Sequence, residues 1–122
     1  MRLARRQIQT LLEIYRFGAW SEGIRSVDLA NLFGLSRGNI CERLDSLKKM
    51  DLVSKEPYGK VKITEKGMER AARIKSSYEK IYAFFKEHVE LESDQAQNCT
   101  LSCLANFSEE CISKLEKKIE TL

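Results

Sequence analysis

Four cysteines are the residues of this chain whose chemistry stands out. Cys99 and Cys103 are four residues apart, so a helix would carry both on one face, with Cβ atoms about 5–6 Å apart. A disulfide needs a Cβ separation of about 3.8 Å, so a metal ion between two thiolates is easier to accommodate than an intrahelical bridge. Cys111 begins the next predicted helix, and a helical hairpin would bring it towards Cys103.

Three thiolates are a donor set that suits soft or borderline metal ions. The spacing therefore predicts a metal site at Cys99, Cys103 and Cys111, holding a thiophilic ion such as iron or zinc, or an iron–sulfur cluster. The alternative is that these cysteines stay reduced and pack in a helical core. Cys41 is assigned that apolar role in either case.

A second group of residues could read DNA. A short helix from Ser26 ends at Gly34, and Ser36 can cap the helix that follows, which indicates a helix-turn-helix. The side of the second helix opposite its apolar stripe carries small, cationic and amide residues that suit base and phosphate contacts: Ser36, Arg37, Gly38, Asn39, Glu42 and Arg43. The alternative is an ordinary solvated helix face.

Two alternating segments after this pair of helices predict a two-stranded wing. Residues 52–55 and 60–63 alternate apolar and polar side chains, and residues 57–59 supply turn chemistry between them. Lys60 and Lys62 would lie on the exposed side, where a wing can contact phosphates. Residues 1–66 are thus predicted to form a winged helix-turn-helix DNA-binding domain.

The remaining residues, 67–122, are predicted to form a helical domain for dimerisation and effector sensing. A long helix from Thr64 to about His88 exceeds what one small wing can cover, so part of its aromatic stripe needs another surface. That stripe is assigned to the dimer contact through Tyr78, Ile81, Tyr82 and Phe85. A symmetric dimer would match a palindromic operator in double-stranded DNA; the alternative is a monomer with a small helical cap.

The charge distribution agrees with DNA binding. Residues 1–75 contain 16 Lys and Arg against 9 Asp and Glu, whereas residues 76–122 contain 5 against 9. The basic half is the one that holds the predicted wing, as a DNA-binding face requires.

No apolar run approaches a membrane span and the basic start is not a signal peptide, so a cytoplasmic protein is expected. The chain lacks a phosphate loop, a G-x-S-x-G motif and C-x-x-C, which argues against an enzyme.

The run YGKVKITEKG, behind a helix-turn-helix that ends KKMDLV, resembles the winged-helix domain of the diphtheria-toxin-repressor and manganese-repressor family of metal-dependent regulators. The helical remainder resembles that family's dimerisation domain. MarR-type regulators, which share an L-T-x-x-G ending, are the nearest alternative. The fold class implied is mainly α, with a winged helix-turn-helix followed by a helical dimerisation domain.

The resemblance also bears on metal ligands. The family pattern E/C-x-x-E-H would place ligands at Cys99, Ser102 and Cys103, and a family histidine aligns with Tyr78. Serine is a poor replacement for a carboxylate, and acids expected on the first helix are missing. The sequence therefore disfavours manganese, a metal of oxygen and imidazole sites.

Together these observations predict a sequence-specific DNA-binding transcriptional regulator, a repressor, that acts as a homodimer and is controlled by a metal or an iron–sulfur cluster held by the cysteines. Two alternatives remain open: a MarR-like regulator with structural cysteines, and a thiol or metal-binding protein that uses its winged helix for protein contacts.

Overall fold

A computed structural model describes residues 2–18, 22–56 and 59–122. The chain divides into two compact units: one comprises Gln9–Ala72, and the other comprises the chain up to Ile8 together with Arg73–Leu122. The functional domains expected from the sequence are a DNA-binding domain in residues 1–66 and a helical domain in residues 67–122. That division stays a prediction.

In the described residues, six helices and three short strands follow one another in the order helix, strand, helix, helix, strand, strand and three helices. Their bounds are α1 (Arg5–Gly18), β1 (Ile24–Arg25), α2 (Ser26–Phe33), α3 (Arg37–Lys49), β2 (Val53–Lys55), β3 (Lys60–Ile63), α4 (Glu65–Glu87), α5 (Ser93–Asn106) and α6 (Glu109–Glu120). The mainly helical fold with a winged helix is thus as predicted.

The turn between α2 and α3 is built from two local signals. Gly34 has φ of +64°, the left-handed conformation that ends a helix sharply, and the Leu35 N–H donates to the Ala30 carbonyl over 2.9 Å. The Ser36 hydroxyl then accepts a hydrogen bond from the Asn39 N–H at 3.1 Å, which caps α3. Both features were predicted from the residue types alone.

The wing is a three-stranded antiparallel sheet in the order β1, β3, β2. Val53 pairs with Ile63 and Lys55 pairs with Val61, which is the hairpin that the alternation predicted. Residues 57 and 58 of the predicted turn lie outside the described residues. The third strand, β1, was not predicted, since its two residues are too few to show an alternating pattern.

The entry into β1 is tight. Gly23 has φ of +122°, and a Cβ at this position would lie 2.6 Å from the carbonyl oxygen of Val61. Only glycine fits such a close approach to the neighbouring strand without a shift of backbone. The pairing of β1 with β3 therefore depends on glycine at position 23.

The first residues of α4 contact the backbone that leads into strand β2. The Thr64 hydroxyl donates to the Asp51 carbonyl at 2.7 Å and accepts from the Gly67 N–H at 3.0 Å, so it caps α4. Gly67 packs directly on the backbone of Leu52, where a Cβ would collide with the carbonyl oxygen. Glycine in the EKG motif is thus required by packing.

The apolar core of the Gln9–Ala72 unit is built mainly from α1, α2, α3, the segment that leads into β2, and strands β2 and β3. Its fully or nearly fully buried members are Leu11, Ile14, Leu29, Ile40, Leu44, Leu47, Leu52, Val53 and Val61. The stripe Ile40, Leu44 and Leu47 points one face of α3 inwards, so the opposite face is turned to solvent. This burial pattern orients the residues predicted to read DNA.

The other unit contains most of α4, together with α5 and α6. Ile81, Ala96, Thr100 and Leu101 are buried, whereas α6 has no buried residue. Lys80 on α4 forms a 2.9 Å ion pair with Glu120 on α6. No helix among the described residues is long and apolar enough to cross a membrane.

We expect Gly67→Ala to destabilise the chain by about 1–3 kcal/mol, because the added methyl group meets a backbone oxygen that cannot rotate away. Urea unfolding followed by circular dichroism measures this change. Gly38→Ala is the matched control, since a Cβ on Gly38 meets nothing within 4 Å and alanine favours helix. Equal stability of the two variants would show that the close approach at Leu52 is not required.

Candidate nucleic-acid interface

The solvent-facing side of α3 carries the residues predicted to read DNA. Arg37, Gly38, Asn39 and Glu42 are exposed, and Ser36 is exposed at the cap. They extend over the first two turns of the helix, the part that contacts base edges when a recognition helix enters the major groove. We refer to Ser36, Arg37, Gly38, Asn39, Glu42 and Arg43 as the recognition face.

Arg43 differs from the other members of the recognition face. It is half-buried, and its guanidinium carbon lies 5.5 Å from the centroid of the Phe33 ring on α2. This cation–π contact holds the side chain against the neighbouring helix. A base contact by Arg43 would require that contact to loosen, whereas Arg37 is accessible as it stands.

The space around Gly38 favours close approach of a backbone phosphate. A Cβ on this residue would meet nothing within 4 Å, and the residue lies in the first turn of α3. The N–H groups of a first helical turn have no partner within the helix and attract anions. The end of α3 is basic as well, through Lys48 and Lys49.

The lysines of the wing are exposed but already have acidic neighbours. Lys60 lies 3.8 Å from Glu22 and Lys62 lies 3.1 Å from Glu56, with 44% and 43% of the two lysine side chains exposed. Surface ion pairs of this kind are weak, so both lysines can exchange their partner for a phosphate. Lys55 on β2 forms a further pair with Asp45 on α3 at 3.5 Å, which links the wing to the recognition helix.

The three cysteines predicted to bind a metal differ in their exposure to solvent. Cys99 is half-buried, Cys103 is buried with 8% of its surface exposed, and Cys111 is exposed. Burial, with the neighbouring Cys99 and Cys111 thiols, raises the pKa of the Cys103 thiol. Throughout residues 2–18, 22–56 and 59–122, no three His, Cys, Asp or Glu side chains are grouped so that they could hold a metal ion. The donor groups as placed therefore do not fit a metal centre.

The predicted dimer residues separate into two kinds. Tyr78 and Tyr82 stack with ring centroids 5.7 Å apart, and burial together with Tyr82 raises the pKa of Tyr78. Phe85 is half-buried, like both tyrosines. Ile81, however, has no exposed surface within its own chain, so it cannot touch a second copy directly and its assignment as a contact residue needs correction. Tyr78, Tyr82 and Phe85 are called the aromatic face below.

One contact between distant residues gave no signal in the sequence. Arg5 at the start of α1 donates to the side-chain oxygen of Asn98 and, at 3.3 Å, to the Ser102 hydroxyl, both on α5. The three residues are more than 90 positions apart in the chain. Only the tertiary structure brings this cation to α5.

Comparison with known proteins places this arrangement among regulators. No protein-family profile matches the chain. Over 93 residues it is 26% identical to an uncharacterised HTH-type transcriptional regulator of Methanocaldococcus jannaschii, covering 76% of this chain and 74% of the relative.

Three solved structures illustrate the likeness in fold. A hypothetical protein from Sulfolobus solfataricus aligns with a TM-score of 0.73 and 22% identity, over 98% of this chain and 92% of that one. The manganese regulator SloR aligns with a TM-score of 0.80 and 20% identity, over 100% of this chain and 56% of SloR. IdeR of T. acidophilum aligns with a TM-score of 0.70 and 12% identity, over 98% of this chain and 55% of IdeR. The chain thus spans about half the length of SloR and IdeR.

These neighbours correct the cofactor prediction. The sequence favoured a thiophilic ion or an iron–sulfur cluster and disfavoured manganese, yet the structures of the same fold include SloR and a manganese-dependent transcriptional repressor in complex with manganese. The exclusion of manganese is therefore wrong as an argument from resemblance. The assignment of Cys99, Cys103 and Cys111 as ligands stays a prediction, and among the described residues these cysteines belong to no group of three donors placed to hold a metal ion.

The relative from M. jannaschii is named a transcriptional regulator and SloR a manganese regulator; transcriptional regulators are not enzymes, in agreement with the sequence-based prediction. The predicted resemblance is confirmed by the fold of solved proteins: the chain has the winged-helix architecture of the metal-dependent regulators related to the diphtheria-toxin and manganese repressors.

Proposed function

We propose that this chain is a sequence-specific DNA-binding transcriptional repressor that acts as a homodimer on a palindromic operator in the cytoplasm. The observation that carries the proposal is the recognition face: an exposed, partly cationic helix surface held by a glycine turn beside a basic wing. The curated relative and the neighbours named as regulators support the same class of function.

The residues of the recognition face would make different kinds of contact with DNA. Arg37 can form a bidentate contact with guanine, and Asn39 can do the same with adenine. Gly38 and the first-turn N–H groups of α3 provide phosphate contacts, which set the position of the helix but carry no sequence information. Glu42 can accept a hydrogen bond from a cytosine amino group and would repel a nearby phosphate, which adds selectivity.

The wing supplies the contacts that do not depend on sequence. Lys60 and Lys62 lie in β3, which is the central strand of the sheet and is paired on both sides. A paired strand fixes the backbone positions of Lys60 and Lys62, and their flexible side chains can then reach a phosphate in place of Glu22 or Glu56. Release of counterions from DNA then favours binding at low salt.

The dimer would form through the aromatic face. Half-buried tyrosine and phenylalanine side chains on one helix are the residue types that dominate interface energetics. Two copies related by a two-fold axis would present two recognition faces to two half-sites. No step of the proposal passes through a bound metal, because the donor side chains among the described residues are not grouped for one.

Arg37→Ala should weaken binding to the operator by about 1–3 kcal/mol and relax base preference in each half-site, because a guanine contact is lost.

Lys60→Ala should weaken binding to the operator and to a scrambled duplex by the same factor. It should also reduce by about one the slope of log affinity against log salt concentration. Selection from random duplex DNA first defines the operator, and fluorescence anisotropy at several salt concentrations then measures both variants.

Every measurement is made once with added Mn²⁺ and once with a chelator, since manganese regulators share this fold. Lys117→Ala is the control, as an exposed lysine on α6 in the acidic part of the chain. Loss of affinity in Lys117→Ala as large as in Lys60→Ala, or operator binding unchanged in Arg37→Ala, would contradict the assigned face. Absence of salt-dependent binding in both arms would favour a winged helix used for protein contacts.

Arg43→Ala should lower the free energy of unfolding by about 1 kcal/mol, because the contact with Phe33 is lost, while Arg37→Ala should change it by less than about 0.5 kcal/mol. Thermal and urea unfolding of the two variants measure the difference. If Arg43→Ala keeps full stability but loses operator affinity, Arg43 faces the DNA and not Phe33.

Tyr82→Glu should convert a dimer into a monomer, because it places a charge in the centre of the aromatic face at an interface that excludes water. Sedimentation velocity over a range of protein concentrations measures the assembly state. Ser76→Glu is the matched control, since it adds the same charge at an exposed position of the same helix. A wild-type chain that sediments as a monomer would refute the dimer directly.

A further inference from the structure

A concave surface in the unit of α4, α5 and α6 shares Phe85 with the aromatic face proposed above for the dimer, while its other lining residues have no role in the proposed function. It has a volume of about 370 Å³ and is lined by Phe85, Asn98, Cys99, Ser102, Cys103, Asn106 and Phe107, which we call the thiol pocket. This volume lies within the range of about 300–1,000 Å³ that small-molecule sites occupy. Its walls combine two aromatic rings, two thiols and a small number of polar groups.

The polar side of the thiol pocket is held in a fixed orientation. Arg5 donates to the side-chain oxygen of Asn98 and to the Ser102 hydroxyl, which lie one turn apart on α5. The side-chain amide oxygen of Asn98 accepts a hydrogen bond from Arg5. The NH₂ group of the same Asn98 amide can therefore donate to another acceptor. A carbonyl group of a ligand is the kind of acceptor that an oriented amide and a hydroxyl recognise.

The two thiols of the pocket differ in access. Cys103 is buried with 8% exposed, whereas Cys99 is half-buried and can be approached from solvent. Both lie on α5 four residues apart, with an expected Cβ separation of about 5–6 Å, so a disulfide between them is disfavoured. The chemistry open to the pocket is therefore addition of one accessible thiol to a ligand, without oxidation.

We propose that the thiol pocket is a covalent modification site at which Cys99 adds to small apolar α,β-unsaturated carbonyl compounds. The Cys99 sulfur forms a bond to the β-carbon, the π electrons move to the carbonyl as an enolate, and the thiol proton ends on the α-carbon. No oxidant or reductant is needed. Phe85 and Phe107 hold the hydrocarbon part, and Asn98 with Ser102 hydrogen-bonds the carbonyl oxygen.

The inference is independent of DNA binding, since none of the pocket residues belongs to the recognition face or the wing. The chain supplies its own reference thiols. Cys111 is exposed and does not line the pocket, and Cys41 lies on α3 in the other unit. A ligand that binds the pocket before it reacts would favour Cys99 over both.

Two neutral maleimides with the same reactive group test this. The full chain is treated with N-phenylmaleimide or N-(2-hydroxyethyl)maleimide, quenched at intervals and digested, and the adduct at each cysteine is quantified by mass spectrometry. We expect the rate at Cys99 relative to Cys111 to be about tenfold higher with the phenyl reagent. An equal ratio for both reagents, or an adduct mainly at Cys103, overturns the proposal.

Two further measurements separate binding from exposure. N-Phenylsuccinimide, which has the ring but cannot react, should protect Cys99 from N-phenylmaleimide and leave Cys111 unprotected. Phe107→Ala should abolish the preference for the phenyl reagent; Phe107 is 41% exposed, so its removal leaves the core intact. Lack of protection by the succinimide on the wild-type chain overturns the proposal whether or not the variant folds.

Discussion

The close contact between the start of α4 and the backbone beside the wing is the constraint on which the rest of the structure depends. Gly67 lies against the Leu52 carbonyl, and the Thr64 hydroxyl bridges the Asp51 carbonyl and the Gly67 N–H. This contact ends the wing and begins the helix that carries the aromatic face. A side chain at position 67 would collide with the Leu52 carbonyl oxygen, so the start of α4 can lie against this backbone only with glycine there.

The features predicted correctly are those encoded by neighbouring residues. Gly34 and Ser36 specify the turn and the cap through their own backbone and hydroxyl chemistry, and the alternation in residues 60–63 specifies the central strand. Local signals of this kind require no knowledge of distant parts of the chain. They account for the winged helix and for the exposed side of α3.

The features missed depend on contacts between distant residues. The contact of Arg43 with Phe33 and the hydrogen bonds of Arg5 to α5 leave no periodic pattern in the sequence. Ile81 shows a further limit, because an apolar stripe does not reveal whether it is buried by its own chain or by a second copy.

The continuity of α4 has a consequence for how the chain length can vary. α4 is one unbroken helix of 23 residues, so Gly67 and Tyr78 keep a fixed angular phase about its axis. Inserting or deleting one residue between them would rotate the tyrosines by about 100°, and only a change near a multiple of seven residues would restore their direction.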